Sequence, residues 1–114
     1  MDIEQLRQYC LSFPAATEDI KWDHDLVFSV GAKMFCVIAL EPPFTCSFKV
    51  SDEIFEEMSQ QQGFRPAPYM ARAKWVQVTN LQIVKYSELQ SLIKQSYDLI
   101  KQKLTKKMRT ELGL

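Results

Sequence analysis

The four residues Val30-Gly31-Ala32-Lys33 constrain the fold of this chain more than any others. They interrupt a stretch, Leu26 to Leu40, that is otherwise dense in β-branched, aromatic and apolar side chains. Two such runs split by a glycine-led pair read as strands in a tight hairpin, here Leu26–Val30 and Lys33–Leu40. Glycine at the first central position predicts a type II′ turn, whose twist suits antiparallel strands. Pro42-Pro43 ends the second strand, after which Phe44, Cys46, Phe48 and Val50 alternate with Thr45, Ser47 and Lys49. That period of two predicts a third strand with one face on the core and the other in solvent.

Helical signals frame the strands. Asp2 and Gln5 can form a capping box for a first helix, in which Ile3, Leu6 and Cys10 recur at helical spacing. Pro14 bars continuation past Phe13, and Ala15 to Asp25 reads as an ordered loop. Ser51 or Asp52 caps a second helix that turns Ile54, Phe55 and Met58 inward and stops at Gly63. Pro66 and Pro68 make Phe64–Met70 extended or looped. Lys74–Val78 reads as a strand, with Leu81–Val84 as its partner across Thr79-Asn80.

The last helix opens on an S-x-x-Q capping box, Ser87 with Gln90. Leu89, Leu92, Ile93, Ser96, Leu99, Ile100 and Leu104 line one stripe of it, and Thr105 starts a short final turn. The predicted class is α+β: a single antiparallel sheet covered by N- and C-terminal helices, in one domain spanning residues 1–114. At 46% hydrophobic residues the chain can fill one core without disulfides or a metal.

The longest apolar run, Met34 to Leu40, is strand-sized, so no membrane span is expected. The acidic start MDIEQLRQYC lacks the basic-then-apolar order of a secretory signal, which predicts a cytoplasmic protein. Cys10, Cys36 and Cys46 have no CxxC spacing and sit among apolar neighbours, so they read as buried, inert thiols. His24 is the one histidine, so no multi-histidine metal site can be built, and GxGxxG, P-loop and GxSxG motifs are missing. The chain is therefore expected not to be an enzyme and to need no cofactor.

Charge divides the sequence. Residues 1–57 hold eleven acids against four bases, a balance of −7, and residues 58–114 hold ten bases against three acids, a balance of +7. Such asymmetry marks either a nucleic-acid face or two halves that attract each other within one fold. Glu18, Asp19, Asp23, His24 and Asp25 could ligate a divalent cation, but they lack the ordered spacing of a calcium loop and read first as solvated charge. On the basic side, Tyr69, Arg72 and Lys74 precede Trp75, a mixture that could set phosphates against cations and a ring against a base. Trp75 itself reads as buried. Lys101, Lys103, Lys106, Lys107 and Arg109 form a second basic cluster, which also suits the negative end of a helix dipole.

Four stretches carry a family resemblance: FPAATED (13–19), VFSVGAKMF (27–35), PAPYMARAKWV (66–76) and SLIKQSYDLIKQKLTKK (91–107). Their order and spacing resemble the MmcQ/YjbR family over nearly the whole chain. The resemblance implies a frataxin-like α+β fold, a double-wing arrangement and DNA binding. In many members a histidine precedes the methionine matched by Met70, and another precedes the tryptophan matched by Trp75. Tyr69 and Lys74 stand at those places here, so Lys74 keeps a phosphate contact and loses any proton transfer. The leading expectation is a nucleic-acid-binding protein that contacts DNA through Tyr69, Arg72, Lys74, Lys103, Lys106, Lys107 and Arg109. The rival is a protein-interaction or metal-handling domain using the acidic 18–25 loop.

Overall fold

The computed structural model describes residues 2–114. Six antiparallel strands form one sheet: β1 (Thr17–Lys21), β2 (Asp25–Val30), β3 (Lys33–Ala39), β4 (Cys46–Lys49), β5 (Phe64–Pro66) and β6 (Trp75–Val78). Their order across the sheet is β1-β2-β3-β4-β6-β5. Helices α1 (Ile3–Leu11), α2 (Asp52–Ser59), α3 (Tyr86–Gln102) and α4 (Lys106–Leu112) complete the α+β fold.

The core lies between one sheet face and the helices. Leu26, Phe28, Val30, Ile38, Phe48, Val76 and Val78 meet Leu6 and Cys10 of α1 and the α3 stripe Leu89, Leu92, Ile93 and Ile100. Three tyrosines tie the first helical segment to α3: the hydroxyls of Tyr9, Tyr86 and Tyr97 donate to the carbonyls of Gln90, Gln5 and Pro14. The Asp2–Gln5 capping box forms as the sequence predicts.

Several local expectations give way to tertiary pairing. Residues 17–21 are not loop but an edge strand, exposed on both faces, so no alternation of apolar residues betrays it. The hairpin turn has positive φ at both Gly31 (57°) and Ala32 (64°), which makes it type I′ rather than II′. Leu81–Ile83 is a 3-10 turn capped by Asn80, not a strand. Both edges of β6 are already taken by β4 and β5, so no ladder is open to it. Phe64–Pro66 supplies the partner instead, and Pro66 is tolerated because β5 is an edge. Helix α3 starts at Tyr86, with Lys85 as an N-cap that makes no side-chain bond, so the Ser87–Gln90 box is not the cap. In β4 the second face is covered as well: Ser47 and Lys49 are each 7% exposed.

A β-bulge explains two further features. Phe28 pairs with Cys36 and Ser29 with Met34, which leaves Phe35 as the extra residue. Phe35 and Cys36, adjacent in sequence, are consequently both fully buried. Outside the ladder, the Phe35 carbonyl accepts the Ser96 hydroxyl at 2.6 Å, and Ser96 Oγ accepts the Lys49 N–H at 2.9 Å. Ser96 thus answers two buried backbone groups at once. Ser96→Ala improves helix propensity yet should lower stability by about 1–3 kcal/mol, measurable by urea unfolding, because both groups lose their partner.

The three cysteines meet in the core, Cys36 and Cys46 with sulfurs 3.6 Å apart. Hydrogen bonding with Cys10 and Cys46, then burial, pushes the Cys36 thiol well above its ordinary range. It stays protonated and unreactive.

Candidate functional site

The helices cover one face of the sheet, and strand alternation turns the residues between the core positions to the other. Register aligns Asp19, Val27, Val37, Ser47, Gln77 and Arg65 across all six strands of this open face. A recess of about 590 Å³ lies on it, floored by Val37, Ala39, Ser47 and Gln77. The β1–β2 turn brings Trp22 and His24 to this recess, and the loop after β5 brings Pro68, Tyr69 and Met70. Trp22 is 59% exposed and Tyr69 fully so. Both hold left-handed backbone, with φ of 55° and 66°, uncommon for bulky side chains.

The loop from Ala67 to Lys74 is the pivot between this recess and the basic residues. Trp75 is buried as the sequence predicts. The N–H of Ala67 donates to the Trp75 carbonyl, and the N–H of Trp75 to that of Met70, so the loop folds back over the start of β6. Arg72 is exposed on the 3-10 turn Ala71–Ala73. Lys74 follows in left-handed backbone, its ammonium 5.0 Å from the Phe55 ring centre.

Lys49 is the functional candidate that sequence reasoning missed. Its ammonium donates to the Ala73 carbonyl. Burial pushes its pKa down, and the nearby charges of Lys103 and Lys74 act the same way, with Asp52 opposing. Cations from the 67–74 loop and the end of α3 thus both act on Lys49 of β4. The folded state holds protonated Lys49 less well than the unfolded chain does. Its penalty is complete below the depressed pKa and is relieved as pH rises towards the unfolded value of 10.5. A bound polyanion would relieve the same repulsion at neutral pH. In the sequence Lys49 stands in pattern on the solvent side of the alternating third strand, so nothing there marked it out.

Of the residues singled out from sequence, Lys74 and Lys103 act on Lys49 through their charge, and Tyr69 borders the recess. Lys106 and Lys107 are exposed on the first turn of α4, which Thr105 caps by accepting the Met108 N–H. Arg109 lies half-buried further along α4, and its Nε has no hydrogen-bond partner.

Ion pairing bears on one reading of the charge asymmetry, the attraction of the two halves for each other. Among the described residues, the pairs are Arg7 with Glu4 and Glu18, His24 with Asp25, and Lys94 with Asp98. Every one joins residues of the same half. The basic half is therefore not neutralised by salt bridges to the acidic half.

The acidic segment does not gather. Glu18 faces α1 and accepts two bonds from Arg7, at 2.7 and 2.8 Å, whereas Asp19 lies on the opposite side of the same edge strand. No group of three histidine, cysteine or acidic residues among the described residues is placed to hold a metal ion. Millimolar Mg²⁺, Mn²⁺ or Fe²⁺ should accordingly leave the melting temperature nearly unchanged. A bound ion would add roughly 2.7 kcal/mol at a hundredfold excess over its dissociation constant, so a saturable rise would revive a metal-handling role.

Comparison with known proteins agrees with this architecture. The family model described as YjbR matches residues 11–99. A crystal structure of a Deinococcus radiodurans protein with a DUF419 domain is similar at 33% identity and a TM-score of 0.87, covering 98% of this chain and 88% of that one. A Pseudomonas syringae protein shares the fold at 20% identity and a TM-score of 0.73, covering 88% of this chain and 99% of its own. No curated protein matches. Among the described residues, no helix is long and apolar enough to cross a membrane.

Proposed function

The chain belongs to the YjbR family, and from that premise we propose that it is a non-catalytic, cytoplasmic nucleic-acid-binding protein that grips a phosphate backbone through its C-terminal half. The observation that carries this reading is the unpaired state of that half. Apart from Lys94, its basic residues lack a carboxylate partner among the described residues, and the charges of Lys103 and Lys74 add to the burial of Lys49 in disfavouring its protonated form. Such a cluster is repulsive until an anion arrives, which is the arrangement counterion-releasing binding needs. Tyr69, free on all sides beside Arg72, supplies a ring that can pack on a base or sugar.

Fluorescence anisotropy against labelled duplex and single-stranded DNA tests the proposal. Affinity for duplex should fall linearly with salt on logarithmic axes, with a slope of about −4 to −5 for four to six phosphates, and should depend little on base sequence. Lys106→Ala with Lys107→Ala should lessen the slope by up to about two units, as should Lys74→Gly with Lys103→Ala. Glycine at position 74 suits the left-handed backbone there, so the second pair also spares the fold. No binding at low salt would end the nucleic-acid reading, leaving the basic half as a surface for an acidic protein. Binding that neither pair alters would reject these residues.

A further inference from the structure

We propose that the recess on the open sheet face is a binding site in its own right, for a small planar aromatic molecule carrying one carboxylate. The proposal does not depend on nucleic-acid binding. At about 590 Å³ the recess has the size of small-ligand pockets, and its floor at Val37 and Ala39 is apolar. Trp22 and Tyr69 stand on two different loops beside it, exposed and in left-handed backbone. Folding alone would favour glycine or asparagine at such positions, since bulky rings gain nothing there from burial. Two aromatic residues kept there suit a flat apolar ligand.

The polar chain along the sheet row supplies the second half of the specificity. Arg65 Nε–H donates to Gln77 Oε1 at 2.8 Å, which turns the Gln77 amide nitrogen to Ser47 Oγ at 3.4 Å. The Ser47 oxygen is thereby engaged as an acceptor, and its hydrogen is left to donate into the recess. A guanidinium stands behind the chain, so the donor end is polarised towards an anionic oxygen. Asp25, paired with His24 at 3.3 Å, also lines the recess and disfavours a second negative group. Ser47 is only 7% exposed, a depth that a narrow ligand reaches and a flat protein surface or a duplex does not.

The probe is 2-naphthoate, added to the full chain and followed by amide NMR shifts and tryptophan fluorescence, with 2-methylnaphthalene and 2-naphthylmethylammonium as uncharged and cationic controls. We expect saturable shifts centred on Val37, Ser47 and Gln77, and a fluorescence change that Trp22→Phe removes, since Trp75 is buried. The carboxylate should bind about tenfold tighter than either control. Ser47→Ala and Arg65→Gln should each erase that tenfold preference. Tyr69→Gly should weaken binding about tenfold while raising the melting temperature, because glycine relaxes the left-handed backbone; a residue kept for folding would do the reverse. No saturable shift at millimolar probe, shifts centred elsewhere, or a preference that survives Ser47→Ala would overturn the proposal.

Discussion

Phe35→Ala is expected to lower stability by about 3–5 kcal/mol, the range for removing a fully buried phenylalanine ring. Phe35 has no exposed surface and is the meeting point of three other rings. Its ring centre lies 5.3 Å from that of Tyr97, 5.8 Å from Phe13 and 6.4 Å from Phe28. Phe13 in turn stacks on Tyr97 at 4.7 Å. These residues belong to β2, β3, α3 and the segment after α1, so the cavity would open where the sheet meets both helices. The residual void adds to the lost transfer energy because neighbours anchored by Tyr97 to Pro14 and by Ser96 to Phe35 cannot close in. For a domain of this size the melting temperature should drop by about 12–20 °C. A loss below about 1 kcal/mol would mean that the aromatic cluster collapses freely and does not hold the helices to the sheet.

Gly31→Val should cost about 2–4 kcal/mol, from two separate causes. A β-branched residue at a φ of 57° is strained by its own backbone. A Cβ at Gly31 would also stand 2.6 Å from Leu104 Cδ2 and 2.9 Å from Cδ1, and Leu104 is itself 5% exposed. Either the hairpin or the end of α3 has to shift, which is the usual cost of overpacking. Ala32→Gly is the matched control: its φ of 64° is left-handed too, and glycine there should stabilise the turn slightly. Chemical denaturation of both variants would show opposite signs. Equal effects would remove the type I′ turn from the account.

The hairpin, the first capping box, the α3 stripe and the burial of Trp75 were legible because each rests on neighbours in sequence: a turn residue, a cap, a period of 3.6, an alternation. The type of turn was not, because glycine followed by alanine fits II′ locally, whereas the paired strands hold positive φ at both residues. Edge strand β1 was hidden for a related reason. A strand that buries neither face carries no hydrophobic period, and only its partner β2 reveals it. Likewise Leu81–Val84 has strand-like residues but no free edge to join.

The same division holds for the sites. Charge asymmetry is a property of the chain, and the sequence alone determines that an excess of cations follows residue 57. Whether those cations cancel the acids is a question of distance, and among the described residues each ion pair joins two residues of the same half. Lys74 and Lys103 could be proposed one by one, but their action on Lys49 depends on how β4, the 67–74 loop and the end of α3 are placed in the fold. The recess is still less local. Its row Val37–Ser47–Gln77–Arg65 draws one residue from each of four strands, aligned by register that no segment encodes by itself. Local periodicity and capping thus determined which segments became helix or buried strand. Pairing partners, bulge and register, which depend on contacts between residues far apart in sequence, decided the open face and everything gathered on it.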